Sequence, residues 1–259
     1  MTISCLDGRV NILGVGVHAT SMERAVPLLE AAAANGSNSY VCITGVHGIM
    51  ESQQDSTLKR IINHSLLTTP DGRPTVWVGW LSGFHQMRQL TGPNLMLKLC
   101  EISAQKGYTH FFYGGNVGVA DELKQALTQR YPGLKVVGTF CPPFRPLTAE
   151  EDAELVKMVA AVKPDFLWVG LSTPKQEKFM DQYLGKLDAK VMLGVGAAFD
   201  IHTGRIKDAP EWLKALGVQW VHRIAQDPKR LWKRYLINNP KFLYRITLQL
   251  LGLAKYDQA

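Results

Sequence analysis

Short apolar runs alternate along most of the chain with longer segments of helical spacing. The runs cover 10–17, 40–44, 75–78, 110–113, 135–139, 165–170 and 190–195. Several are apolar throughout, as strands covered on both faces are. Between them, 21–34, 93–105, 117–129, 148–162 and 176–187 read as helices. Thr148 with Glu151 three residues later forms a capping-box pattern at one helix start. Strand–helix–strand alternation predicts an α/β fold built on a doubly wound, mostly parallel, Rossmann-like sheet. Such sheets bind ligands at the carboxyl ends of their strands.

After Gly204 the strand-like runs stop. Residues 205–259 read as helical pieces broken near Pro228 and Pro240, a C-terminal helical appendage to a catalytic domain over 1–204. From Trp220 onward there are eight Lys/Arg against Asp227 and Asp257, so this stretch holds +6 of the net charge of +7. Concentrated positive charge implies a phosphate-bearing partner: a diphosphate, an anionic lipid surface or nucleic acid. The N-terminal stretch lacks a basic segment followed by a long apolar run, so no signal peptide is expected. No apolar stretch approaches the roughly 20 residues that span a bilayer. Cys5, Cys42, Cys100 and Cys141 have no metal or redox spacing and read as reduced thiols of a cytoplasmic protein.

The strand ends carry the polar residues of interest. Gly14-Val15-Gly16 resembles half a dinucleotide fingerprint, but Ala19 stands in place of the third glycine, and a tight turn between strand and helix explains it as well. At the end of the 40–44 run, Thr44 offers a hydroxyl to a phosphate or sugar. His47 is either a base near neutrality or a helix cap. Asp71, in Thr69-Pro70-Asp71-Gly72, is either an ordinary turn residue or the general base that deprotonates an acceptor hydroxyl. Gly114, Gly115 and Asn116 precede a helix, where glycines admit a close ligand and the helix N-terminus favours phosphate. Pro174, Lys175, Gln176 and Glu177 crowd one strand-to-helix turn. Capping accounts for Pro174 and Glu177 but not for Lys175 with Gln176. Asp200, just beyond the 190–195 run, either pairs with a ribose hydroxyl or base edge or is merely solvated.

In order, TTPDG, TGPNLM, FFYGGNVGVADELKQAL, RYPGLKVVG, LWVGLSTPKQEKF, GVGAAFDIHTGRIKDAP and WVHRIAQDPKRLWKRYL resemble the WecG/TagA/CpsF glycosyltransferases of bacterial surface polysaccharide and wall polymer synthesis. The likeness runs from about Asn11 to Asn239. It implies an inverting, UDP-sugar-dependent hexosyltransferase that needs no metal or other cofactor. Its acceptor would be polyprenyl-diphosphate-linked, and its sugar of N-acetylhexosamine type. By this likeness Asp71 is the catalytic base and Thr44 a pocket hydroxyl. The segment with Gln176 and Glu177 lines the site, Asp200 binds donor, and Arg223, Arg230 and Arg234 meet the diphosphate. The chain departs from the family pattern at Val46, Gln89 and Asn94, where the family usually has Asn, Arg and Asp. These changes bear on acceptor choice more than on the reaction.

The residues agree with the likeness. A leaving diphosphate must be neutralised by a metal or by cations and helix ends. The sequence has no Asp-x-Asp pair but supplies tail arginines, whose forks suit phosphate oxygens. Trp232, Tyr235, Leu236, Phe242, Leu243, Tyr244 and Leu248 are interleaved with them, which predicts peripheral docking on the inner face of the cytoplasmic membrane. A homo-oligomer is possible. A nicotinamide-dependent oxidoreductase is the first competing reading, weakened by the incomplete glycine fingerprint. A nucleic-acid-binding module is the second, weakened by the lack of a base-stacking sheet; no nucleic-acid partner is expected.

Overall fold

A computed structural model describes residues 8–258, without the side chains of Glu211, Ala215, Arg230, Lys233 and Arg234. Cys5 therefore lies outside the described residues. The chain runs β1 (Arg9–Ile12), β2 (Val15–His18), α1 (Met22–Ala34), β3 (Ser39–Thr44), α2 (Val46–Glu51), α3 (Ser56–His64), β4 (Leu67–Pro70) and α4 (Arg73–Leu81). It continues α5 (Gly92–Lys106), β5 (Thr109–Gly114), α6 (Val119–Arg130), β6 (Lys135–Phe140), α7 (Ala149–Val162), β7 (Phe166–Gly170), α8 (Lys175–Tyr183) and β8 (Val191–Gly194). The last elements are α9 (Ala198–His202), α10 (Glu211–Ala215), α11 (Gln219–Gln226) and α12 (Pro228–Leu250).

Six strands form one sheet in the order β4-β3-β8-β7-β5-β6. The pairs β3–β8, β8–β7, β7–β5 and β5–β6 are parallel. The predicted α/β, Rossmann-like class is therefore the observed one. The Thr148 capping box is also formed, with the Thr148 hydroxyl and the Glu151 carboxylate each accepting the other's backbone amide.

Three local expectations are corrected. The 10–17 run is not one strand but the β1–β2 antiparallel hairpin, with Ile12 opposite Val15. Leu13 and Gly14, at φ 53° and 83°, make a two-residue turn of the type that suits hairpin twist. Asn11 Oδ1 accepts the Gly14 amide at 2.8 Å, which compensates for a non-glycine residue in the left-handed region. The Gly14–Gly16 segment is thus a hairpin turn, not the turn between a strand and a helix.

The 75–78 run is helical. Gly72 at φ 90° turns the chain, Pro74 pre-sets the first helical turn, and the Thr75 hydroxyl donates to the Gly72 carbonyl at 2.8 Å. Thr75, Val76, Val78 and Gly79 are buried while Trp77 is exposed, a spacing that tertiary packing reads as a helix despite the β-branched residues. The strand of this region is β4, which the sequence reading passed over. Pro240 lies within α12 instead of ending it, whereas the break before Pro228 is real.

Contacts divide the chain into two compact units. One comprises Met1–Arg24, Ile43–Thr91 and Ile206–Ala259; the other comprises Ala25–Cys42 and Gly92–Arg205. In the first, Ile12, Leu13, Ile49, Leu58, Ile61 and Phe242 are fully buried. Its C-terminal part is tied to the hairpin: Gln249 accepts the Leu13 amide at 2.8 Å and donates to the Asn11 carbonyl at 2.7 Å. The second unit is centred on Phe111, Phe112, Phe166 and Trp168. There the Trp168 indole N–H donates to His110 Nδ1 at 2.8 Å, and burial lowers the His110 pKa to about 3.

Candidate active site

In the first unit, Thr44 ends β3 and Asp71 follows β4 directly, so both stand at carboxyl ends of sheet strands. The Asp71 amide donates to the Thr44 carbonyl at 3.1 Å. Gly45 completes this contact. A Cβ placed on it would lie 2.8 Å from the Asp71 carbonyl oxygen and 3.6 Å from Asp71 Oδ2, so the carboxylate lies against the Gly45 backbone. The Thr44 side chain is 2% exposed, and its hydroxyl has no hydrogen-bond partner among the described residues. Buried polar atoms are nearly always paired, so this hydroxyl is a candidate for contact with a substrate oxygen. His47 lies on α2, half-buried, with Nδ1 3.5 Å from Glu51 Oε1. Thr44, His47 and Asp71 thus belong to one neighbourhood.

The second unit holds a different group. β5 and β7 are neighbours, yet after β5 the chain passes through α6 to β6, and after β7 through α8 to β8 on the other side. The chain thus reverses direction across the sheet here, which makes this a topological switch point, the place where such sheets bind ligands. Gly114–Asn116 and Ser172–Glu177 are the loops after β5 and β7. At φ 122°, Gly114 is pressed against the backbone of Gly170, where a Cβ would meet its carbonyl carbon at 2.8 Å. The Gly115 amide donates to the Gly170 carbonyl at 3.1 Å, so it holds the two loops together. The amide is thus engaged within the protein.

Gln176 and Glu177, on the first turn of α8, are 3% and 1% exposed. Gln176 Oε1 accepts the Gly196 amide at 2.9 Å, and its Nε2 donates to Glu177 Oε1 at 3.1 Å. The Thr173 hydroxyl donates to the same oxygen at 2.8 Å. This network locks the loops after β7 and β8 to one another. Thr173 and Gly196 are the members that sequence reasoning missed, because neither type is distinctive alone. Pro174 is the cap residue of α8, and Lys175 is exposed at its first position, where a cation gains access to an anionic ligand. Asp200 is half-exposed on α9, directly after β8. Arg205 forms a bidentate pair with Glu122 instead of offering its fork to a ligand.

The tail arginines fall on two helices of the first unit. Arg223 is half-buried on α11. Arg230 and Arg234 lie one turn apart on α12, and their side chains are outside the described residues. Trp220 and Tyr235 pack ring to ring at 6.0 Å, joining α11 to α12. Of the aromatic and aliphatic tail residues expected at the surface, Phe242 is instead core, at 2% exposure. Trp232, Leu236, Leu243 and Tyr244 are exposed. Arg88, the neighbour of Gln89, donates to the carbonyls of His85 and Met87. Among the described residues, no cluster of three or more His, Cys, Asp or Glu is gathered, and no helix is long and apolar enough to cross a membrane.

The family model described as "Glycosyl transferase WecG/TagA/CpsF family" matches residues 10–256. A Staphylococcus aureus (strain MRSA252) N-acetylglucosaminyldiphosphoundecaprenol N-acetyl-beta-D-mannosaminyltransferase is 28% identical over 248 residues, covering 92% of this chain and 92% of that protein. The Bacillus subtilis (strain 168) protein of the same name is 27% identical over 182 residues, covering 70% and 68%. The match spans both units, including the strand ends that carry Thr44, Asp71 and Gln176. The chain is a member of the WecG/TagA/CpsF glycosyltransferase family.

Proposed function

We propose that this glycosyltransferase moves an N-acetylhexosamine from a UDP-sugar to a saccharide held on a polyprenyl diphosphate, with inversion and without a metal. The observation that carries the reading is the Asp71–Thr44–Gly45 arrangement, a carboxylate at a backbone position tied to Thr44, beside a buried hydroxyl with no partner among the described residues. In this reading Asp71 takes the proton of the acceptor hydroxyl. That oxygen attacks the anomeric carbon, the bond to the UDP oxygen breaks, and UDP leaves. Attack opposite the leaving group inverts the centre. Thr44 donates its hydroxyl to a substrate oxygen, and His47, beside Glu51, orders the same neighbourhood.

The donor lies at the β5/β7 switch point over the Gly114-Gly115-Asn116 turn and against Pro174 and Lys175, beside the Gln176–Glu177 network, with Asp200 on α9. The exposed Lys175 ammonium suits the anionic diphosphate of a nucleotide-sugar donor. Arg223, Arg230 and Arg234 neutralise diphosphate charge as cations do where no metal serves. Exposed Trp232, Leu236, Leu243 and Tyr244 with Lys229 and Lys241 on α12 suit docking on an anionic membrane surface. The two relatives named above act, by their names, on an undecaprenyl-diphosphate-linked N-acetylglucosamine, which supports the acceptor class.

The test is UDP release from a panel of UDP-N-acetylhexosamines with N-acetylglucosaminyl polyprenyl diphosphate, with and without EDTA. Acceptor-dependent release that survives chelation is expected. Release abolished by chelation overturns the metal-free reading, and absence of UDP binding overturns the donor assignment.

A further inference from the structure

Helix α4 begins two residues after Asp71 and carries a feature that the transfer reaction alone does not use. Trp77 and Leu81 are one turn apart on the same helix face and are 44% and 73% exposed. α10 packs beside α4 within the same unit. Arg73 Nε donates to the Lys214 carbonyl at 3.4 Å, and Gly217 sits so close that a Cβ on it would meet the Trp77 ring and Arg73 Cβ at 3.0 Å. α10 and its cap add Trp212 and Leu216, 63% and 61% exposed and one turn apart. Two helices in contact at Gly217 thus each expose a Trp/Leu pair, and the Arg73 cation stands at the end of α4 nearest Asp71 in the chain. From Arg73 to Leu81 the helix axis advances ~12 Å.

We infer that these pairs seat the first isoprenoid units of the acceptor. The inference rests on the transferase reading above and names how the same site holds its lipid. The order along α4 is carboxylate, cation, then apolar row. A lipid-linked acceptor presents its groups in that order: sugar hydroxyl, diphosphate, then prenyl chain. An isolated aromatic or two on a surface needs no explanation, but exposed Trp/Leu pairs on two touching helices, one of them starting two residues after the acceptor base, do. Burying a prenyl chain on them is favourable in proportion to the apolar area removed from water.

The test uses the full chain, in solution and without membranes, with N-acetylglucosamine diphosphate carrying either a methyl or a geranyl ester, each below its aggregation threshold. For the wild type, KM falls about tenfold or more from methyl to geranyl, while kcat changes little. In the Trp77→Ser/Leu81→Ser variant that gain shrinks below about threefold, and kinetics on the methyl ester stay near the wild type. The Trp77→Phe/Leu81→Met variant retains the gain, which separates loss of apolar contact from loss of fold. A full gain in the Ser variant overturns the inference. So does a gain that appears only when anionic vesicles are added, which would make the pairs a membrane-docking surface. Equal KM for both esters in the wild type also overturns it while leaving the transferase reading intact. No turnover of either ester, with UDP still bound, counts against the acceptor reading itself.

Discussion

The Asp71 backbone amide donates to the carbonyl of Thr44 at 3.1 Å, joining the residue after β4 to the last residue of β3. The contact fixes the start of the Asp71 side chain by main-chain geometry. It also requires that nothing project from residue 45, the position between the two strand ends.

Gly45→Ala tests that requirement. Gly45 has φ −107°, which any residue adopts, so the added methyl acts by contact with the Asp71 carbonyl and not by backbone strain. The displaced Asp71 lowers kcat by about tenfold or more, since ångström-scale misplacement of a reacting group is costly. UDP binding is unchanged. Isothermal titration with UDP beside initial-rate kinetics checks both halves.

Replacing the carboxylate or its hydroxyl neighbour separates their roles. Asp71→Asn loses the proton acceptor, and kcat falls by about 10²–10⁴ with donor affinity retained. Thr44→Val deletes a buried hydroxyl that has no partner within the described residues, so it leaves the fold as stable or raises its unfolding free energy by up to about 1 kcal/mol. The same change lowers kcat/KM by roughly 10- to 100-fold if the hydroxyl binds substrate. Urea denaturation and kinetics on one preparation read the two effects. A Thr44→Val enzyme with full activity would remove the hydroxyl from the mechanism.

Much of this was legible in the sequence, for identifiable reasons. The runs that became β3, β5, β7 and β8 are buried on both faces, and a buried parallel strand has few other ways to read. The Thr148 box is a local pattern with a local cause. By contrast, Thr75–Val76–Trp77–Val78 looks like a strand until Gly72 and Pro74 set a helix start and the core selects Thr75, Val76, Val78 and Gly79. The hairpin at Leu13–Gly14 was hidden because a leucine in the left-handed region is stabilised by Asn11, not by its own preference. Gln176 drew attention because capping does not explain an amide beside a lysine after a buried strand, whereas Asp71 stood in a turn motif with its strand unrecognised, and the family likeness marked it. Thr173 and Gly196, which hold Gln176 and Glu177 in place, became visible only once folding brought them together.

Stability should depend on pH through two buried histidines. His18 is lowered to about 4, by burial first and then by the Arg9 charge, and His110 to about 3 by burial. Both are neutral when folded and titrate near 6.5 when unfolded, so below pH 6.5 the unfolded chain binds more protons. The contribution is complete above that pH and is lost as pH falls toward 4. Each group removes up to about 1.4 kcal/mol per pH unit in that window. His110→Asn keeps an acceptor for the Trp168 indole but cannot titrate. Its urea midpoint should therefore decline less steeply between pH 6.5 and 5 than that of the wild type. Parallel slopes would place the proton elsewhere.

The Gln176–Glu177 network beside the β5/β7 switch point gives the last test. Gln176 is 3% exposed and bridges two loops, accepting from Gly196 and donating to Glu177. Gln176→Leu fills the same volume but leaves the Gly196 amide without its acceptor and Glu177 Oε1 with one donor fewer. Losing a bond to a buried amide costs about 1–3 kcal/mol. The fold should survive this, because the aromatic centre of the unit is untouched. The loops after β7 and β8 are then free to part, so the KM for the sugar donor rises several-fold, while kcat at saturating donor falls less. Thr173→Val, which removes one donor to the same Glu177 oxygen, should move donor KM in the same direction by a smaller factor. If both variants lose stability but bind donor as tightly as the wild type, the network supports the fold alone and the donor lies elsewhere.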